Sequence, residues 1–227
     1  AGVPLADTHE LANTPSAAWL MAERRRPGPA SARLSVVART TDDQGRAYEG
    51  VLGEARWLQR QFGGVNSCVH DGDRTLDQVL AVMRTGSVLH VASHMQANAE
   101  NPWDSAMLLG AGNDEAAWLT AQRIARVDLS ARLCVLAGCS SDVRSPSMGE
   151  NINGLSSAFL AAGASSVVAT LWAVDDAVAE AWTRAFYSEL ARGATVAGAA
   201  RRSSAVLRAE RATSHPSQWA AFVVVGD

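Results

Sequence analysis

The sequence predicts one α/β domain: a mostly parallel central sheet flanked by helices. Two observations lead there. Apolar runs of strand length alternate with stretches whose apolar residues recur at helical spacing, the β-α-β rhythm of a parallel sheet. No Pro/Gly/Ser linker divides the 227 residues, a length that a single core can fill.

Element by element, Thr14-Pro15 before Ser16 to Ala22 reads as a capped helix with Pro in its first turn. The basic break from Glu23 to Pro29 reads as a solvated surface loop. Leu34 to Ala38 supplies a strand. Gly50 to Arg60 carries Val51, Leu52, Ala55 and Leu58 at helical spacing and stops at Gly63-Gly64. Val65 to Val69 is a short strand, Thr75 to Met83 an amphipathic helix, and Val88 to Ala92 a buried strand. Ala106 to Leu109 and Trp118-Leu119 flank Gly110 to Asp114, a small hairpin by its turn residues. After the apolar run Leu133 to Ala137, a helix ends at Gly163 and a strand covers Ser166 to Leu171. Helices Ala177 to Leu190 and Thr195 to Arg208 precede a last strand, Ala221 to Val225.

Composition removes several function classes. Hydrophobic residues make up 48% and charged residues 19% of the chain, and a net charge of −3 gives no electrostatic reason to expect nucleic acid. No stretch approaches 18 apolar residues without charge and the start lacks a signal peptide's regions, so the expectation is a soluble, cytoplasmic protein without membrane contact. All twenty basic residues are Arg, which excludes a P-loop lysine, a Schiff-base lysine and a Ser-Lys dyad. Three cysteines without framework spacing argue for reduced thiols. No G-x-G-x-x-G fingerprint follows a strand, against a nucleotide-binding domain.

Two strand ends carry reactive groups. The run Ser87 to Ser93 ends on His94, and Leu133 to Gly138 ends on Cys139, Ser140 and Ser141. Reactive groups in an open parallel sheet gather just past the carboxyl ends of neighbouring strands, so the two can meet although 45 positions separate them. A free thiol is only a few per cent thiolate at neutral pH and needs a base. His9 and His215 lie in segments read as loops, His70 follows another strand, and His90 lies inside its strand. His94 is the best placed. Cys134 and Cys68 read as packed thiols. His90 and His94 have the i, i+4 spacing of a zinc helix, but Val91 stands where that motif needs Glu, so no metal is expected. A Cys phosphatase needs Arg six positions after the Cys, and Ser145 stands there.

With those residues placed, the sequence resembles the CHAT family of caspase-like cysteine peptidases, alongside separases, caspases, gingipains and metacaspases. Val88 to His94 is similar to the family's strand ending in the catalytic His, and Leu136 to Ser141 to the separase form of the nucleophile motif. Gly149-Glu150, Asn153 to Leu155, Ala161 to Ala164 and Ser166 to Asp176 resemble the family's next helix and strand, and Trp219 to Asp227 its closing segment. The resemblance implies a caspase-like sandwich over residues 1–227, with the hairpin between the His and Cys strands. It also implies that the match starts partway through the family's N-terminal strand region, as part of a longer polypeptide.

For the site, it implies His94 as base, Cys139 as nucleophile, and the N–H groups of Met95 and Cys139 as oxyanion donors. Met95 departs from the Gly common after the catalytic His. One such donor is worth about 2.7–4 kcal/mol, so a misplaced N–H there would hold the enzyme off until a partner corrects it. Asp175, Asp176, Glu180 and Asp104 become candidates for a pocket that takes a basic P1 side chain, with Ser105 bordering the same cleft. Helix N-capping competes for Asp175 and Asp176. The function implied is a cysteine endopeptidase cutting protein substrates after Arg, without a cofactor, under a sensor or repeat domain in cis or in trans, in defence or cell death. The alternative is a catalytically silent caspase-like binding or scaffolding module.

Overall fold

In the computed structural model, residues 5–23, 33–42, 44–62, 64–98, 100–137 and 152–226 are described. Cys139, the rest of its motif through Gly149-Glu150, and residues 24–29 of the basic break lie outside them. In chain order the elements begin with α1 (Leu5–Thr8), α2 (Ala17–Glu23), β1 (Leu34–Arg39), α3 (Glu49–Gln61), β2 (Asn66–His70) and α4 (Leu76–Met83). The middle holds β3 (Val88–Ala92), β4 (Met95–Gln96), β5 (Ala106–Leu108), β6 (Trp118–Thr120), α5 (Ala121–Ile124) and β7 (Leu133–Ala137). A π-helical turn, Ile152–Ser156, leads into α6 (Ser157–Ala161), followed by β8 (Ser166–Thr170), α7 (Asp176–Ala191), α8 (Val196–Ala209), α9 (Pro216–Trp219) and β9 (Phe222–Gly226).

Six strands form the main sheet in the order β2-β1-β3-β7-β8-β9. All neighbours are parallel except β8 and β9. The strands β1, β3, β7 and β8 are buried almost end to end, as a sheet covered on both faces requires. One apolar core lies under α4, α5 and α6, with Leu80, Met83, Leu89, Ile124 and Phe159. The other lies under α3, α7 and α8, with Leu58, Trp182, Phe186 and Leu207. Trp182 stacks between Phe186 and Phe222, at centroid distances of 4.8 and 4.2 Å.

Local signals explain most helix ends. Thr75 and Gln78 form a reciprocal capping box at α4, and the Thr195 hydroxyl accepts from the Gly198 N–H at α8. Gly64, at φ +72°, reverses the chain after α3.

Several details depart from the sequence reading. Glu23 is not solvated: it is buried at the end of α2, paired with Arg132 at 2.7 Å and accepting from the Ser165 hydroxyl. The hairpin β5–β6 is antiparallel as expected but belongs to a three-stranded sheet, because β4 pairs with β5 directly after His94. A two-residue strand has no periodicity to betray it. Cys68 lies mid-strand in β2 and is only half-buried. His70 is the last residue of β2 rather than the residue after it, and His215 caps α9, its ring nitrogen accepting from the Ser217 N–H.

Candidate active site

β3 and β7 lie side by side and parallel, with Ala92 opposite Ala137 at their carboxyl ends. His94 follows two residues beyond Ala92. Its ring is stacked near the Tyr48 ring, with centroids 6.5 Å apart and planes 15° off parallel, and meets the edge of Trp118 at 5.7 Å. Its carbonyl accepts from the Leu108 N–H at 2.9 Å, locking the end of the His strand to β5. That bond makes Met95 and Met107 a non-hydrogen-bonded pair, so the Met95 N–H points away from β5 at the edge of the small sheet. The Met95 side chain is buried in the core.

A cavity of about 240 Å³ opens beside His94 at the carboxyl ends of β3, β7 and β8. Ser93 and His94 contribute from one side, Leu136, Ala137 and Thr170 from the sheet, and α3 and α7 from above. Of the four predicted pocket carboxylates, Asp176 and Glu180 line this cavity. Asp175 and Asp104 do not. Asp175 occupies the N-cap position of α7, exposed and making no side-chain cap bond. Asp104 is exposed and accepts from the Asn101 side chain, and Ser105 is buried, its hydroxyl accepting from the Asn98 N–H.

Asp176 begins α7 and lies over Gly50 of α3, where any Cβ would come within 2.7 Å of its side chain. Gly50 is what lets the two helices approach. Glu180, one turn further, is ion-paired with Arg184, and the Arg184 guanidinium sits 5.7 Å above the Trp57 ring. Asp176 is thus the freer acidic group at the cavity mouth.

Sequence reasoning missed three groups here. Tyr48 precedes α3 and lines the cavity beside His94. Trp118 reads in the sequence only as part of a hairpin strand. Glu54 lies on the buried face of α3 and also lines the cavity. It occupies the i+3 place of the stripe Val51, Ala55, Leu58, and an acid on such a stripe is a signal available in the sequence. Beneath it His90 is fully buried, with Nδ1 3.1 Å from the Tyr187 hydroxyl and Nε2 3.6 Å from Glu54 Oε2. Among the described residues no three His, Cys, Asp or Glu side chains cluster to hold a metal ion, and no helix is long and apolar enough to cross a membrane.

Comparison with known proteins agrees with the fold. A model of the CHAT domain family aligns with residues 2–227. The chain is similar to Tetratricopeptide repeat protein 28 of Homo sapiens, 37% identical over 108 residues, and of Mus musculus, 35% identical over 108 residues. Each match takes in 48% of this chain and 4% of the relative's length. Among solved structures, separase of Saccharomyces cerevisiae, in complex with securin, superposes with a TM-score of 0.65 at 16% identity, over 97% of this chain and 14% of that one. The Arg-specific cysteine proteinase gingipain R, from Porphyromonas gingivalis, superposes with a TM-score of 0.54 at 12% identity, over 86% of this chain and 46% of that one. Both are caspase-like cysteine peptidases, and at these identities the likeness is one of fold. With the sheet, its crossovers and a family model that runs through nearly every residue in agreement, the chain belongs to the CHAT domain family.

Proposed function

We propose that this domain is a cysteine endopeptidase that uses His94 as general base and Cys139 as nucleophile and cuts protein substrates after a basic residue, preferably Arg. The observation that carries the reading is the register of β3 against β7. Ala92 faces Ala137, and His94 and Cys139 each follow two residues later in the sequence, so equal lengths of chain separate both groups from one paired position. In the reaction the His94 imidazole takes the thiol proton as sulfur adds to the scissile carbonyl. It returns that proton to the departing amine, and water then hydrolyses the thioester, restoring the thiol. The direction of the Met95 N–H, away from β5, suits a donor to the oxyanion, with the Cys139 N–H as its proposed companion. Asp176 and Glu180 on the cavity that His94 also lines support a basic P1 residue. Gingipain R, of the same fold, is Arg-specific by its description. The match to a tetratricopeptide repeat protein supports control by a repeat domain, in cis or in trans.

The test is peptide cleavage by Cys139→Ala and His94→Ala, with thermal unfolding followed in parallel. Each single change should abolish turnover and leave the unfolding temperature near that of the wild type, because nucleophile and base act as one unit. If Cys139→Ala keeps more than about a hundredth of the wild-type rate, the covalent mechanism is wrong.

A further inference from the structure

Glu54 is an unusual residue to find where it is. It is 5% exposed, on a helix face turned to an apolar core, and it lines the cavity beside His94. Its Oε1 is buried and has no hydrogen-bond partner among the described residues. Its Oε2 faces His90 Nε2 at 3.6 Å, too far for a hydrogen bond, and that nitrogen is likewise unpartnered among the described residues. A buried carboxylate in this condition is costly unless something completes it. The residues around it define what that would be. Val51, Val135, Val168, Val174, Trp182 and Phe222 give the cavity apolar walls. Carboxylates stand at two depths, buried Glu54 at the bottom and exposed Asp176 at the mouth. A side chain with a long aliphatic stem and a planar cationic head that offers several N–H donors fits both features, whereas an ammonium offers a point charge.

Below Glu54, burial holds the Tyr187 phenol well above its ordinary pKa, with the Glu54 charge adding to the shift. The phenol therefore stays protonated, and its hydroxyl is hydrogen-bonded to His90 Nδ1 at 3.1 Å.

We infer that Glu54 is the specificity-determining floor of this cavity and receives the guanidinium of a peptide arginine, with Asp176 at the entrance. The inference rests on the peptidase reading for the identity of that arginine as P1.

The experiment titrates Nα-acetyl-arginine methylamide, and the uncharged isostere Nα-acetyl-citrulline methylamide, into the 227-residue chain carrying Cys139→Ala, by calorimetry. The arginine ligand should bind more tightly than the citrulline ligand by about thirtyfold or more, as expected for a desolvated charge pair. Glu54→Gln should erase most of that ratio while leaving the unfolding temperature unchanged or higher, because a neutral isostere replaces an unpaired buried charge. Equal affinity of the two ligands for the chain with Glu54 intact overturns the inference without needing a further variant. So does a Glu54→Gln chain that keeps the full ratio and unfolds at lower temperature, the signature of a carboxylate retained only to face His90. These titrations involve no cleavage. An arginine preference in a chain whose wild type cuts no peptide would therefore overturn the peptidase reading and leave the binding site. Cleavage without arginine discrimination would do the reverse.

Discussion

The chain has three cysteines, and the two among the described residues sit in different surroundings. Cys134 is fully buried in the core beneath α4 and α6, and that burial pushes its thiol pKa far up. Cys68 is half-buried, and desolvation raises its thiol pKa, with Arg74 opposing and Asp73 adding to the shift. A thiol whose pKa is raised reaches its reactive thiolate only at higher pH. Iodoacetamide at a pH of about 7.5 should therefore label Cys139 first, Cys68 slowly and Cys134 only after unfolding, as read by mass spectrometry of timed samples. Equal labelling of Cys139 and Cys68 would favour a silent scaffold over a peptidase. Cys134→Ser should cost about 1–3 kcal/mol in urea unfolding, because the hydroxyl has no partner in that apolar setting, and should leave turnover nearly unchanged. Asp176→Ala should shift a peptide-library profile away from Arg at P1, and Asp175→Ala should not, since only Asp176 lines the cavity. A profile dominated by apolar or acidic P1 residues would remove the carboxylates from substrate recognition altogether.

At the scale of elements, two glycines show how differently the same atom is received. Gly53 lies mid-helix in α3, and a Cβ there would touch only Glu180 Oε1, at 3.8 Å. Gly53→Ala should raise stability by about 0.5–1 kcal/mol, the helix-propensity gain, in thermal or urea unfolding. Gly154 lies in the π-helical turn that leads into α6, and a Cβ there would fall 2.1 Å from the Pro102 carbonyl oxygen. Backbone cannot yield as a flexible side chain can, so Gly154→Ala should destabilise by about 1–3 kcal/mol. Pro102 belongs to the segment joining β4 to β5, directly downstream of His94. Turnover should consequently fall by more than the stability loss explains, measured at a temperature where both proteins are folded. π-Turns recur at functional sites because they place one residue out of helical phase. Here that residue run brings the chain returning from the cysteine segment against the chain leaving the histidine.

Across the whole molecule, the carboxyl end of β1 is tied to the hairpin turn of the small sheet by a buried guanidinium. Arg39 donates to the carbonyls of Gly110 and Gly112 and to the Asn113 side chain, and His70 at the end of β2 packs nearby, its Nδ1 accepting from the Gly72 N–H. Burial holds the His70 imidazole below its ordinary pKa, with Asp73 opposing and Arg39 adding to the shift. The unfolded chain then binds a proton that the folded chain resists, so stability rises with pH across this range. It is fully present above the unfolded value of about 6.5 and is lost as pH falls from there toward the folded value. Unfolding temperatures between about pH 5 and 7.5 should therefore decline on acidification, and His70→Gln should flatten the decline. An unchanged slope would assign the pH dependence to other groups.

Much of this molecule was legible in the sequence because periodicity is local. The stripe Val51, Ala55, Leu58 and the apolar runs through Val88 to Ala92 and Leu133 to Ala137 fix helix and strand within one window each. The alternation of those windows implies a parallel sheet. The strand-end position of His94 is also visible in one window, and its role as base is a proposal built on it. Which strands are neighbours, and in which register, depends on crossover paths and burial that no window contains. Tertiary structure alone set Ala92 against Ala137, brought α7 down on Gly50 so that Asp176 faces the cavity while Asp175 does not, and buried Glu23 on Arg132. It also put an acid, Glu54, beneath apolar walls. An acid on a helix reads as solvated until a second element covers that face, and here the covering element lies more than a hundred residues away along the chain.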